Sequence, residues 1–150
     1  MIRAIKLLLL GMFLLVACGN AGYAQDFQKG AEAYKKGDYA TALRELKPLA
    51  EQGNAWAQRD LGVMYAEGQG VTQDYKEAAQ WFRAAAEQGD AKAQFNLGLM
   101  YANGQGVTQD YKEAMKWYRK SAEKGHANAQ NNLGNLCKRS LTDSIFERID

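Results

Sequence analysis

Leu61-Gly62-Val63-Met64-Tyr65-Ala66-Glu67-Gly68-Gln69-Gly70-Val71-Thr72-Gln73-Asp74-Tyr75 returns 36 residues later as Leu97-Gly98-Leu99-Met100-Tyr101-Ala102-Asn103-Gly104-Gln105-Gly106-Val107-Thr108-Gln109-Asp110-Tyr111. Working outward, the likeness extends over the whole of 55–90 and 91–126. A period of about 20–50 residues marks a solenoid, whose units bury their apolar faces only against their neighbours. Such stacks are chiefly surfaces for holding other molecules, so the repeat bears on biochemical class as well as fold.

Each copy reads as a helix hairpin. Ala55, Ala57, Gln58, Leu61, Gly62, Met64 and Tyr65 set small and apolar residues at helical spacing. Asn54 stands where it can cap that helix. Gly68-Gln69-Gly70 ends it, because glycine accepts the positive φ of a helix stop. Asp74 opens a second helix, and Glu77 completes a capping-box pattern. Tyr75, Ala78, Ala79, Phe82, Ala85 and Ala86 form its inward stripe; Gly89 closes it and Asp90 caps the next helix. Glycine inside a helix costs about 1 kcal/mol relative to alanine. Gly62 and Gly98 therefore point to close helix approach, with Leu61, Tyr65 and Trp81 filling the spaces between layers.

These residues resemble the Sel-one-like repeat family, relatives of tetratricopeptide repeats with a longer loop. The resemblance rests on Leu61 to Tyr65, Gly68 to Val71, Asp74-Tyr75, Ala78 and Trp81 to Ala85, and on Leu97 to Tyr101, Gly104 to Val107, Asp110-Tyr111, Ala114 and Trp117 to Arg119. It implies an all-α, right-handed α/α superhelix and a scaffolding role in multiprotein assemblies.

The flanks depart from the frame. Residues 25–54 read as a shorter, tetratricopeptide-like pair turned at Lys35-Lys36-Gly37-Asp38, with Pro48 predicting a kink or an early end in its second helix. Residues 127–150 begin a third repeat that breaks at Cys137, which stands where Tyr65 and Tyr101 stood. Leu141, Ile145 and Ile149 then suggest a short amphipathic closing helix; a truncated, partly disordered end is the alternative. Cys137 is expected to pack as a small apolar residue, the alternative being an exposed thiol open to an intermolecular bridge.

Arg3 and Lys6 precede an apolar run from Leu7 to Val16 that is too short to span a bilayer. A basic start, a short apolar core and small residues describe an export signal. Two cleavage readings stay open. Leu15-Val16-Ala17-Cys18 matches a lipobox, giving a lipoprotein signal over 1–17 with Cys18 lipidated. Gly22-Tyr23-Ala24 before Gln25 matches ordinary cleavage, giving a signal over 1–24. Either one exports the chain, periplasmic or secreted, and the membrane is met only through signal or lipid. Loss of Arg3 and Lys6 leaves 17 basic and 17 acidic residues, and a neutral chain with no basic stripe argues against nucleic-acid binding. Cys137 is then the sole cysteine unless Cys18 is retained as the lipid anchor, so no intramolecular disulfide is expected.

No constellation in the sequence asks for chemistry. His126, the one histidine, falls at the turn position of Asp90, without partners at metal or nucleophile spacing. The glycine loops lack both the third glycine of a dinucleotide site and the Lys-Ser/Thr of a P-loop. Ser121 and Lys124 match S-x-x-K, the serine β-lactamase nucleophile pattern, without its companion motifs. The resemblance keeps a β-lactam-hydrolysing enzyme as an alternative, because some Sel-like proteins have been discussed as β-lactam-binding. Trp81-Phe82 and Trp117-Tyr118 could form a sugar platform, but their regular spacing favours packing between repeats. No cofactor, metal or catalytic residue is expected.

A ligand site is sought where otherwise matching repeats differ. Trp56, Lys92 and Asn128 form one row on the first helices; Arg59, Phe95 and Asn131 form a second; Val63, Leu99 and Asn135 form a third. The resemblance places these rows on the concave surface. Trp56, Arg59 and Phe95 are expected to make an anchor cluster, since Trp and Arg dominate interface hot spots. The resulting expectation is a scaffold or adaptor for proteins of the bacterial envelope, with a cell-wall glycan or peptide binder as the runner-up.

Overall fold

The computed structural model describes residues 26–146, and side chains through 138. The described residues form seven helices joined by turns and short loops: α1 over 26–35, α2 Tyr39–Glu51, α3 Ala55–Glu67, α4 Tyr75–Glu87, α5 Ala91–Asn103, α6 Tyr111–Glu123 and α7 Ala127–Phe146. From α2 onward each helix packs on the one before it and the one after it. The result is an all-α solenoid of helix hairpins: α1–α2, α3–α4 and α5–α6, followed by α7. The export signal readings, Cys18 and Ile149 lie outside the described residues.

The sequence determines where each helix begins and stops. Asn54 and Asp90 accept hydrogen bonds from Ala57 N–H and Ala93 N–H and so cap α3 and α5. Asp74 and Asp110 each accept two N–H groups of the next turn. The reciprocal half of the capping box is not used, because Asp74 N–H donates to the Tyr65 carbonyl and Asp110 N–H to that of Tyr101. Gly68 and Gly104 stop α3 and α5 in the left-handed region, at φ 70° and 69°. The loop then closes through Gln73, which donates to the Ala66 carbonyl at 2.7 Å and to the Tyr75 hydroxyl at 3.1 Å; Gln109 repeats this with Ala102 and Tyr111.

One device joins the arms of every hairpin. A β-carbon on Gly62 would lie 2.6 Å from the Phe82 ring, and one on Gly98 would lie 2.7 Å from the Tyr118 ring. In the shorter N-terminal pair Gly30 meets Leu46 in the same way, at 2.7 Å. Each glycine is a seat for one large side chain of the following helix, and that close approach offsets its helix-propensity cost. At Gly134 on α7 the seat has nothing within 4 Å among the described residues. Among the described residues no second helix folds over the first helix of the third repeat.

A second device joins one hairpin to the next. Gln58 is buried and donates to the Ala50 carbonyl at 3.0 Å, at the end of α2; Gln94 does the same to Ala86 at the end of α4. Each of these carbonyls already accepts from the turn that follows, Gly53 N–H or Gly89 N–H at 3.0 Å, and the glutamine supplies a second donor. By its helical spacing Gln58 reads as one of a small and apolar set, whereas its carboxamide is the reason for its place. Trp81 reaches back to the core of α1–α3, and Trp117 to that of α4 and α5. Lys120 lies 4.4 Å over the Trp117 ring, and Phe82, Trp117 and Tyr118 are buried, so these three aromatics are packing elements.

At the flanks, the early end expected at Pro48, the separate closing helix and the packed Cys137 are corrected. α2 does not end at Pro48 but runs on to Glu51, with Pro48 exposed. The repeat frame departs at Cys137 but the helix does not: α7 is one helix of 20 residues, so a separate closing helix does not form within it. With no second helix laid across α7 among the described residues, Cys137 is exposed rather than packed.

Candidate binding face

The row positions have different fates. Trp56 is 57% exposed at the start of α3, with its ring 5.8 Å from that of Phe27. Lys92, Asn128, Asn131 and Asn135 are exposed. Val63 and Leu99 are half-buried on the inner faces of α3 and α5.

Arg59 and Phe95 serve another purpose. Arg59 is held by Asp60 at 2.8 Å and by Asp90 at 3.2 Å. One repeat later Phe95 takes the place of Arg59 and His126 that of Asp90, and their rings stack 4.7 Å apart. An ion pair at one repeat junction is therefore exchanged for a ring pair at the next. Phe95 also lies 5.8 Å from Tyr118. Trp56, Arg59 and Phe95 thus engage different neighbours and do not join as one exposed cluster.

Asp60 escaped the row comparison, although the signal was there: its place is taken by Asn96 and then Asn132. Burial pushes its carboxyl above the usual carboxylate range, and the Arg59 guanidinium opposes that shift. A carboxyl raised in the folded state contributes most to stability below its ordinary value, and that contribution is lost as pH rises through the folded value. Asp60→Asn is expected to remove this downward slope above about pH 4. Urea midpoints measured across that range check it, and parallel profiles for the two proteins would contradict it.

Two clefts lie between successive first helices. One, of about 140 Å³, is lined by Val63, Ala66, Tyr75, Phe82, Asn96 and Leu99, among others. The other, of about 450 Å³, is lined by Leu99, Ala102, Tyr111, Tyr118, Asn132 and Asn135, among others. The sets correspond at a spacing of 36 residues and share Leu99. In the second, burial raises the Tyr118 hydroxyl above the ordinary tyrosine value, and a hydrogen bond with Asn132 opposes this.

The S-x-x-K pair is structural. Ser121 is fully buried and its hydroxyl donates to the Ala91 carbonyl at 2.6 Å, while Lys124 donates to the Gly89 carbonyl. Together they tie the end of α6 to the start of α5 and the turn before it. Among the described residues no group of three or more His, Cys, Asp or Glu side chains could hold a metal ion. None of the described helices is long and apolar enough to cross a membrane.

The Sel1 repeat model matches residues 57–90 and 91–126, the two hairpins whose arms meet at Gly62 and Gly98. The chain belongs to the Sel1-repeat family. A Sel1 repeat protein from Oxalobacter formigenes is 45% identical with a TM-score of 0.71, over 73% of this chain and 45% of that one. A protective antigen of uropathogenic Escherichia coli, c5321, which displays an SLR fold, is 40% identical with a TM-score of 0.76, over 83% of this chain and 27% of that one. The chain thus spans less than half the length of either. Helicobacter pylori cysteine rich protein B shares the fold at 22% identity, with a TM-score of 0.60. No match is found among curated proteins. Sel1 repeats are generally protein–protein interaction modules and typically non-catalytic.

Proposed function

We propose that the chain is an exported bacterial adaptor that binds envelope proteins on the concave face formed by its first helices. The observation that carries this reading is the division of labour within the repeat. The recurring residues of the frame are largely taken up by hairpin and junction contacts, whereas Trp56, Lys92, Asn128, Asn131 and Asn135 stay accessible on one set of helices. Accessible aromatic and polar groups beside preformed clefts are suited to a protein surface. Export rests on the basic start and short apolar core of residues 3–16.

Cross-linking in the native envelope, followed by capture of the tagged full chain, tests both parts. The expected result is a discrete protein adduct on a processed chain beginning at Gln25 or at lipidated Cys18. The adduct should weaken in a Trp56→Ala, Asn131→Ala variant with an unchanged melting temperature. An unprocessed chain in the cytoplasm overturns the export reading. An adduct insensitive to those substitutions overturns the assigned face.

A further inference from the structure

We propose that α6 holds the chain against an anionic phospholipid bilayer through a row of exposed cations, Lys112, Lys116, Arg119 and Lys120. The row lies on a second helix, so it goes beyond the reading of the first-helix face.

The repeat isolates the row. α4 and α6 occupy the same place in successive hairpins. Where α4 and its C-cap carry Gln80, Ala84 and Gln88, α6 and its C-cap carry Lys116, Lys120 and Lys124. Up to that cap, α6 sets five cations against Glu113 and Glu123. α4 sets Lys76 and Arg83 against Glu77 and Glu87, and α2 sets Arg44 and Lys47 against Glu45 and Glu51. The even balance of the processed chain conceals the excess on α6, because acidic residues elsewhere cancel it. The row is thus a basic stripe that the charge of the whole chain does not reveal.

α4 builds the same hairpin without these lysines, so packing does not require them. Lys112, Lys116 and Lys120 recur every four residues, about 6 Å apart along one face. Like charges at that spacing slightly destabilise a helix. A cost of this kind with no packing return points to a use outside the fold.

All four cations are exposed. Lys112 and Arg119 have no side-chain hydrogen bond or ion pair among the described residues. Arg83, the counterpart of Arg119, donates to the Tyr101 hydroxyl, whereas Cys137 stands at the matching place on α7 and offers no hydroxyl. Lys116 meets Glu113 at 3.0 Å in an exposed pair, which holds it only weakly. Lys120 lies over the Trp117 ring, which is itself buried.

The chemistry of the row selects the partner. Lysine is depleted from protein interfaces, where arginine and aromatic groups are enriched. The row lines neither of the clefts between first helices, and it offers flexible point charges rather than a shaped pocket. A fluid sheet of phosphate headgroups asks only for charge, and clusters of about four to eight Lys or Arg on a helix suit it. Export, as read from residues 3–16, brings the chain to such a sheet and away from nucleic acid.

The test is co-sedimentation of the processed chain from Gln25, which keeps every described helix. The vesicles are phosphatidylcholine alone or phosphatidylcholine with phosphatidylglycerol, and a DNA duplex is titrated in parallel. Binding only to the vesicles with phosphatidylglycerol is expected, falling at least about tenfold between about 0.05 and 0.5 M salt. Lys116→Gln with Lys120→Ala, the residues that α4 carries, should weaken it about thirtyfold with little change in melting temperature. Lys35→Gln with Lys36→Ala removes as much exposed charge from the turn after α1 and should bind nearly as wild type. No preference for anionic vesicles, equal binding by the α6 variant, or an equal loss in the Lys35 and Lys36 variant overturns the proposal. Tighter binding of the duplex, lost in the α6 variant, overturns it in favour of a nucleic acid. Each of these outcomes leaves the adaptor reading standing, because neither pair of lysines belongs to the first-helix face.

Discussion

Gly106→Ala is expected to lower the unfolding free energy by about 3 kcal/mol, the sum of a left-handed residue given a β-carbon and a backbone contact forced apart. Gly106 sits at φ +68°, and a β-carbon there would lie 2.0 Å from the Tyr75 carbonyl oxygen. That oxygen belongs to the first residue of α4, so the loop of one repeat docks on the helix start of the repeat before it. Gly70 docks on Tyr39 in the same way, with its would-be β-carbon 2.8 Å from the Tyr39 β-carbon. Rigid backbone cannot move aside as the end of a side chain can. Gly125 supplies the control: its φ is +82°, but nothing lies within 4 Å, so Gly125→Ala should show only the conformational part, about 1–2 kcal/mol. Urea unfolding of the two variants separates docking from conformation. The Gly106 variant should also unfold less cooperatively, because stability in a repeat stack rests on the coupling between neighbours. Equal losses in the two variants would show that the loop does not dock.

The second large effect is a contrast between two copies of one position. Gly98→Leu is expected to destabilise by roughly 3 kcal/mol, because the Tyr118 ring already occupies the space and overpacking of this kind costs about 1–3 kcal/mol or more. Gly134→Leu, at the same place on α7, is expected to hold stability level or raise it by up to about 1 kcal/mol through helix propensity. The sequence neighbourhoods are alike, Asn-Leu-Gly in both, so propensity alone predicts the same sign for both. Melting temperatures read by circular dichroism decide between seat and propensity. A loss at Gly134 matching that at Gly98 would mean that a further element covers α7.

The hairpins were legible because their determinants are extremes of volume. A glycine recurring inside a helix and an aromatic recurring on the next one leave little choice of packing. The buried glutamines were not legible in role. Gln58 and Gln94 sit at apolar spacing, and a polar residue there can face inward only if a carbonyl waits for it, which requires knowing where α2 and α4 end. Arg59 and Phe95 misled for a related reason. Variation between repeats reads as freedom but is exchange: Arg59 changes to Phe95 as Asp90 changes to His126, and the junction is kept by different chemistry. The exchange is visible only in both positions together, and they lie 31 apart in sequence. Cys137 was misplaced because its burial in the repeat frame depends on a second helix, which does not cover α7 in the described residues.

The claim that the first helices carry the function is tested most directly by photo-cross-linking in living cells. A benzophenone amino acid at Asn131 or Asn135 is compared with one at Lys120 on α6, all three positions being exposed. Discrete protein adducts from Asn131 and Asn135, with none from Lys120, are the predicted result. Adducts from Lys120 alone, or at equal yield from all three positions, would contradict it.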